Sequence, residues 1–98
     1  MIKVIISRQI KKGAEAKVEE MLMDLRGAAL HQPGYITGET LVSVADPHKV
    51  VTVGTMLSLE HWKAWHECER RIELATLLRP LLERDEEYSI YYLAGREQ

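Results

Sequence analysis

The sequence predicts an α+β fold of the ferredoxin-like kind, βαββαβ, with a four-stranded antiparallel sheet and both helices on one face. Three observations lead there. Residues 50–57 are apolar at odd and even positions alike, and in residues 1–10 Ile2, Val4, Ile6 and Ile10 point one way while Ile5 points the other. Strand side chains alternate, so such runs imply a sheet buried on both faces. Between the strand-like runs lie helical stripes, first among them Val18, Met21, Leu22, Leu25, Ala28 and Ala29 at i, i+3, i+4, i+7 spacing. The order is strand, helix, strand, strand, helix, strand, which the split βαβ rule folds into one sheet. Helices on one side leave the other face for another chain or a ligand, and a two-fold symmetric homodimer through the sheet face follows as the expectation.

Each element has its local reason. The first strand is expected over residues 2–10, until Lys11-Lys12-Gly13 breaks it. Glu15, Lys17, Glu19, Glu20, Asp24 and Arg26 give the first helix its wet side, and Gln32-Pro33-Gly34 stops it. A second strand is expected over residues 35–44. Asp46-Pro47-His48 then forms a tight turn, making residues 50–57 its hairpin partner. Ser58 suits an N-cap, and Leu59, Trp62, Trp65 and His66 share one helical face. That stripe fails at residues 68–71, where Glu69 would fall in its centre. Leu74, Leu77, Leu78 and Leu81 begin a second stripe in rotated phase, so a kink or two short helices is expected around residues 67–70. Pro80 limits the second piece to about Arg79. A last strand carries Tyr88, Ile90, Tyr91, Tyr92 and Leu93 over residues 87–94, and residues 95–98 read as a frayed tail.

Composition narrows the function. Ninety-eight residues, 46% hydrophobic and 29% charged, make a single folded domain over residues 1–98. A net charge of −2 supplies no field for nucleic acid or an anionic membrane. No apolar run approaches the roughly 20 residues of a membrane helix, and the apolar start is too short for a signal-peptide core. One cysteine, Cys68, excludes an internal disulfide framework and suits a reducing cytoplasm, the expected location. No metal site is expected. His61 and His66 are five apart and do not share a helical face, His31 and His48 fall in loop-like segments, and no C-x-x-C or H-x-x-x-H occurs. No glycine pattern cradles phosphate, so nucleotide and flavin have no warrant and the expected cofactor is none.

Three stretches carry a family likeness: Pro33-Gly34-Tyr35 with Gly38-Glu39-Thr40, then Ser43-Val44-Ala45-Asp46-Pro47, then Ser58-Leu59-Glu60-His61-Trp62-Lys63-Ala64-Trp65. With the order of elements, the chain resembles the antibiotic-biosynthesis monooxygenase (ABM) domain family, whose members are dimeric α+β barrels. The resemblance implies a monooxygenase that needs no cofactor and acts on a small electron-rich aromatic, of polyphenol or quinol type. The alternative is a non-catalytic dimer, of binding or stress-response type, that holds a small hydrophobic ligand. A third reading, haem binding or breakdown, is implied by Trp65 alone. Where that branch carries an asparagine and a histidine, this chain has Ser7 and Ala75, and no imidazole stands ready for iron. Met56 replaces a tryptophan common in the family, and Trp65 replaces a histidine.

The candidate site follows. Trp62 and Trp65 either fill the core or line a pocket between helix and sheet, where flat ligands favour aromatic walls. His66 is the candidate catalytic base, since a neutral imidazole near pH 7 can take a proton from a phenol or an activated C–H. Ser7, polar among Val4, Ile5 and Ile6, and Glu39 in the second strand are candidate polar contacts to the substrate. Tyr35, Tyr88, Tyr91 and Tyr92 could donate phenol hydrogen bonds there. Cys68 has no clear activating neighbour beyond His66 and Arg71 and reads as inert.

Overall fold

The computed structural model describes residues 1–95. Strands β1 (Ile2–Gln9), β2 (Tyr35–Val42), β3 (Lys49–Met56) and β4 (Glu87–Tyr92) form one antiparallel sheet in the order β2-β3-β1-β4. Helix α1 (Glu15–Ala29), helix α2 (Leu59–His66) and helix α3 (Glu69–Leu78) lie on one face. This is the expected ferredoxin-like α+β arrangement. No described helix is long and apolar enough to cross a membrane.

Local chemistry explains the element ends. The Ser58 side chain accepts a hydrogen bond from His61 N–H, 3.2 Å, and so caps α2. Gly34 has φ +82°, and a Cβ there would collide with His61, so the turn from α1 into β2 demands glycine twice over. The β2–β3 turn closes as expected, with Lys49 N–H donating to Asp46 O at 2.9 Å and His48 N–H donating to Asp46 Oδ1 at 2.9 Å. The expected interruption falls at Glu67 and Cys68. Cys68 is extended (φ −64°, ψ 136°), separating α2 from α3.

Other boundaries differ. β2 stops at Val42, two residues early, because Ser43 and Asp46 belong to the turn, where Asp46 N–H donates to Ser43 Oγ. Helix α3 ends at Leu78, within one residue of the limit expected from Pro80, which then sits in a 3-10 turn, Arg79–Leu81, whose opening position tolerates proline. The buried row of α3 is Arg71, Leu74 and Leu78 in place of the expected stripe of Leu74, Leu77, Leu78 and Leu81, and Leu81 is only half-buried. Leu77 is exposed, and Leu82 completes the buried row. β4 ends at Tyr92. The expected tail falls mainly on residues 96–98, outside the described residues.

Register assigns every sheet side chain to a face. Ile2 pairs with Met56 and Tyr92, Val4 with Gly54 and Ile90, and Ile6 with Thr52 and Tyr88, all on the helix side. There Ile2, Val4 and Ile6 meet Val18, Met21 and Leu25 of α1 and Leu74 and Leu78 of α3 in one core. The opposite face carries Ile5, Val51, Val53 and Leu41, interleaved with Lys3, Ser7, Glu39 and Thr55. It is more mixed than the run at residues 50–57 suggested, because every cross-strand row holds a polar side chain. Lys3 donates to Thr55 Oγ1 at 2.7 Å within it.

Candidate functional site

A cavity of about 80 Å³ opens between the sheet and the helices. One ordered water needs roughly 10–15 Å³, so this space holds more than isolated solvent. Its floor is low where two glycines face each other across β2 and β3. Gly38 is opposite Gly54, and between the β-carbons of their neighbours the backbone itself is the surface. Trp62 and Trp65, both 6 % exposed, form the wall from α2, and Leu22 and Leu25 close the side of α1. The spacing of the two tryptophans (i, i+3) sets them on one helical face. Tyr35 reaches over the floor, its hydroxyl 2.6 Å from where a Gly38 Cβ would lie.

One end of this apolar space is charged. Arg8 of β1 and Arg71 of α3 both line it, and both are 4 % exposed. Arg8 donates through Nε to Glu86 Oε2 and through Nη1 to Thr52 Oγ1 at 2.8 Å. The Tyr88 hydroxyl donates to Glu86 Oε1 at 2.6 Å and accepts from Arg71 Nη2 at 2.8 Å. The Arg71 guanidinium lies 5.7 Å from the ring centres of both Trp62 and Tyr88, a cation–π position between two rings. Burial alone would raise the Glu86 carboxyl. The Arg8 guanidinium, helped by the hydrogen bonds from Tyr88 and Arg8, holds it below the ordinary carboxylate range instead. Burial and the hydrogen bond to Glu86 push the Tyr88 phenol up, so it stays neutral.

The expected site residues are only partly brought together. Trp62 and Trp65 belong to the buried core and also line the cavity, so the structure carries both of the readings offered for them. His66 does not. It stacks on Trp62 with ring centres 5.2 Å apart, meets Tyr88 edge-on, and opens into a neighbouring groove with Arg71, Glu86 and Tyr88. Burial first, and then the charge of Arg71, lower its pKa, and its Nδ1 is buried with no hydrogen-bond partner among the described residues. Ser7 lies on the open face of the sheet opposite Val51, away from the cavity, because it shares the parity of Ile5. Glu39 reaches the cavity edge with its strand, but register pairs it with Val53 on the open face. Tyr88 joins the charged cluster, and Tyr91 pairs with Lys3 on the open face.

His61 and His48 serve local contacts. Ser58 Oγ and His61 Nδ1 are 2.7 Å apart, and His48 Nε2 bonds Glu15. Among the described residues no group of His, Cys, Asp and Glu could hold a metal ion. Haem fits poorly: Ala75 offers iron no ligand, and Ser7 faces away from both spaces. Sequence reasoning missed Arg8, Arg71, Glu86 and Thr52. A signal existed for the first two: arginine interrupts the buried rows Ile2-Val4-Ile6-Arg8-Ile10 and Arg71-Leu74-Leu78. A long cation on a buried stripe is rare unless paired or functional.

Residues 1–70 match the family model described as antibiotic biosynthesis monooxygenase. The chain belongs to that family. By sequence, no curated protein matches it. In structure it is similar to a crystal structure of an antibiotic biosynthesis monooxygenase, with a TM-score of 0.89 and 19% identity over 97% of this chain and 100% of that one. It is also similar to SnoaB, a cofactor-independent oxygenase from Streptomyces nogalater, with a TM-score of 0.83 and 17% identity over 97% and 95% of the two chains. A conserved protein from Methanosarcina mazei Go1 gives 0.87 and 18% identity over 92% and 89%. At these identities the likeness is one of fold, and the ABM family assignment rests on the sequence match.

Proposed function

We propose that this ABM domain is a monooxygenase without added cofactor, acting on a small quinol-like aromatic in the tryptophan-walled cavity. The observation that carries it is the cavity itself: apolar and aromatic along its length, cationic at one end. An electron-rich ring in such a site can reduce dioxygen directly once it is deprotonated. A ring C–O bond forms, giving a hydroperoxide whose proton comes from the phenol. The O–O bond then breaks, and the outer oxygen leaves as water with the ring C–H proton. The sum is quinol plus dioxygen giving hydroxyquinone plus water. The protein's part is to exclude water, hold the ring flat, and stabilise developing negative charge on oxygen. Arg8 and Arg71 supply that stabilisation. His66, neutral at pH 7, is the candidate base from the far side of Trp62, and Ser7 and Glu39 have no part in this reading.

The same reading includes a homodimer through the open sheet face, supported by the half-buried Val51 and Val53 beside exposed Leu41 and Tyr91.

The test is oxygen uptake with hydroquinone and anthrone as substrates. Turnover should fall at least tenfold in Trp65→Ala, and His66→Ala should lose the limb of the pH profile that its deprotonation creates. Unchanged turnover in His66→Ala removes the base role. The second reading, a non-catalytic binding dimer, is favoured by one observation: His66 lies outside the cavity. It predicts ligands that raise the melting temperature while no oxygen is consumed.

A further inference from the structure

Buried charge does not balance at the cationic end of the cavity. Two guanidinium groups, Arg8 and Arg71, share one carboxylate, Glu86. Tyr88 and His66, the other titratable groups packed there, are held neutral by burial and its accompanying contacts. A side-chain charge out of water is costly unless it is paired. Arg8 already has the better share of Glu86, through a direct hydrogen bond, while the nearest Arg71 nitrogen stays 3.7 Å from that carboxylate. Arg71 donates one N–H to Tyr88 at 2.8 Å, and its remaining donors, which are not sealed from solvent, bond no described acceptor. It lines the cavity, and so does Arg26 at the exposed side.

We propose that the ligand of this cavity is an aromatic anion, and that Arg71, with Arg8 behind it, pairs with the ligand's charged oxygen. A planar guanidinium suits a carboxylate or phenolate oxygen, and Trp62 and Trp65 accept the ring that carries it. The ligand's anionic oxygen then adds counter-charge to two guanidinium groups that share Glu86. Glu86 competes with that ligand for the same two cations. The inference rests on the reading that this cavity is the substrate site, and it adds the substrate's charge.

The experiment compares 2,5-dihydroxybenzoate with its methyl ester at pH 7.5, which are equal in ring chemistry and differ in charge. Binding is read from quenching of the fluorescence of Trp62 and Trp65, and oxygen uptake is measured in parallel. The acid should bind about tenfold or more tighter than the ester, as expected for a charge-assisted pair of roughly 1.4 kcal/mol or more. Arg71→Met should erase that preference and leave ester binding within about twofold. Glu86→Gln should act in the opposite sense, tightening the acid and sparing the ester, and this second variant decides the matter should Arg71→Met fold poorly by circular dichroism. Equal affinity for acid and ester in the natural chain overturns the inference, as does a Glu86→Gln variant that leaves the acid unchanged. Tight acid binding with no oxygen uptake leaves the anion site standing and ends the oxygenase reading. Oxygen uptake with the ester at the acid's affinity does the reverse.

Discussion

On the helix side of β1, Ile2, Val4, Ile6 and Arg8 are between 1 % and 7 % exposed, whereas Lys3, Ile5, Ser7 and Gln9 on the other side remain half-buried. The same eight residues therefore serve two environments. The helix side must close around its own contents, so it tolerates charge only where Arg8 finds Glu86 and Thr52. The open side mixes Ile5 and Val53 with Lys3 and Glu39, the composition of a surface that can meet water or a twin. The first face holds the core and the proposed ligand site, and the second holds the proposed dimer contact.

Four measurements break or sharpen that contrast. The largest effect should come from Leu78→Ala, which empties a 1 % exposed position in the shared core. Urea unfolding should show a loss of roughly 2–5 kcal/mol. Next is Val53→Asp on the open face. If a twin subunit covers it, sedimentation velocity at micromolar concentration should fall to the single-chain value, because an unpaired carboxylate inside an interface is costly. An unchanged sedimentation coefficient would return that face to solvent.

The third is acid titration of stability. Both His66 and Glu86 have pKa values depressed in the folded chain, so the unfolded chain binds more protons between the folded and ordinary values. Stability is thus complete above an ordinary histidine value near 6.5 and declines as pH falls below it. It declines again as pH falls from about 4.3 through the lower folded value of Glu86. Melting curves of Glu86→Gln should show a smaller second decline, because the lowered carboxyls of Glu15 and Asp46 also contribute there, and should keep the first. The smallest effect belongs to Lys3→Met. Removing its bond leaves the buried Thr55 hydroxyl short of a donor and should cost about 1 kcal/mol of unfolding free energy.

Much of the fold was legible because its signals are local. The Ser58 cap, the glycine-proline stop after α1 and the phase slip at Glu69 each act within a few residues, and each appears where expected. Leu77 was misplaced because a leucine-rich stretch does not reveal which row faces inward. Arg71, buried in a row of leucines, was the better marker of phase. The candidate site was half legible. Trp62 and Trp65 are set by helical spacing, but His66 follows Trp65 by one residue, a rotation of about 100° that carries it to the next groove. Parity with Ile5 already put Ser7 on the open face. The Arg8–Glu86 pair joins residues 78 apart in the chain, a distance over which no periodicity speaks.

The glycine floor carries a last consequence. Gly54 has no positive φ, and a Cβ built on it would meet nothing within 4 Å. Neither folding nor packing requires glycine there, so what the position provides is headroom. Each carbon added at residue 54 would trim the slot by a methyl-sized step while the scaffold stays the same. On the proposed function, the size of ring the cavity takes is therefore set in part by the side chain at residue 54.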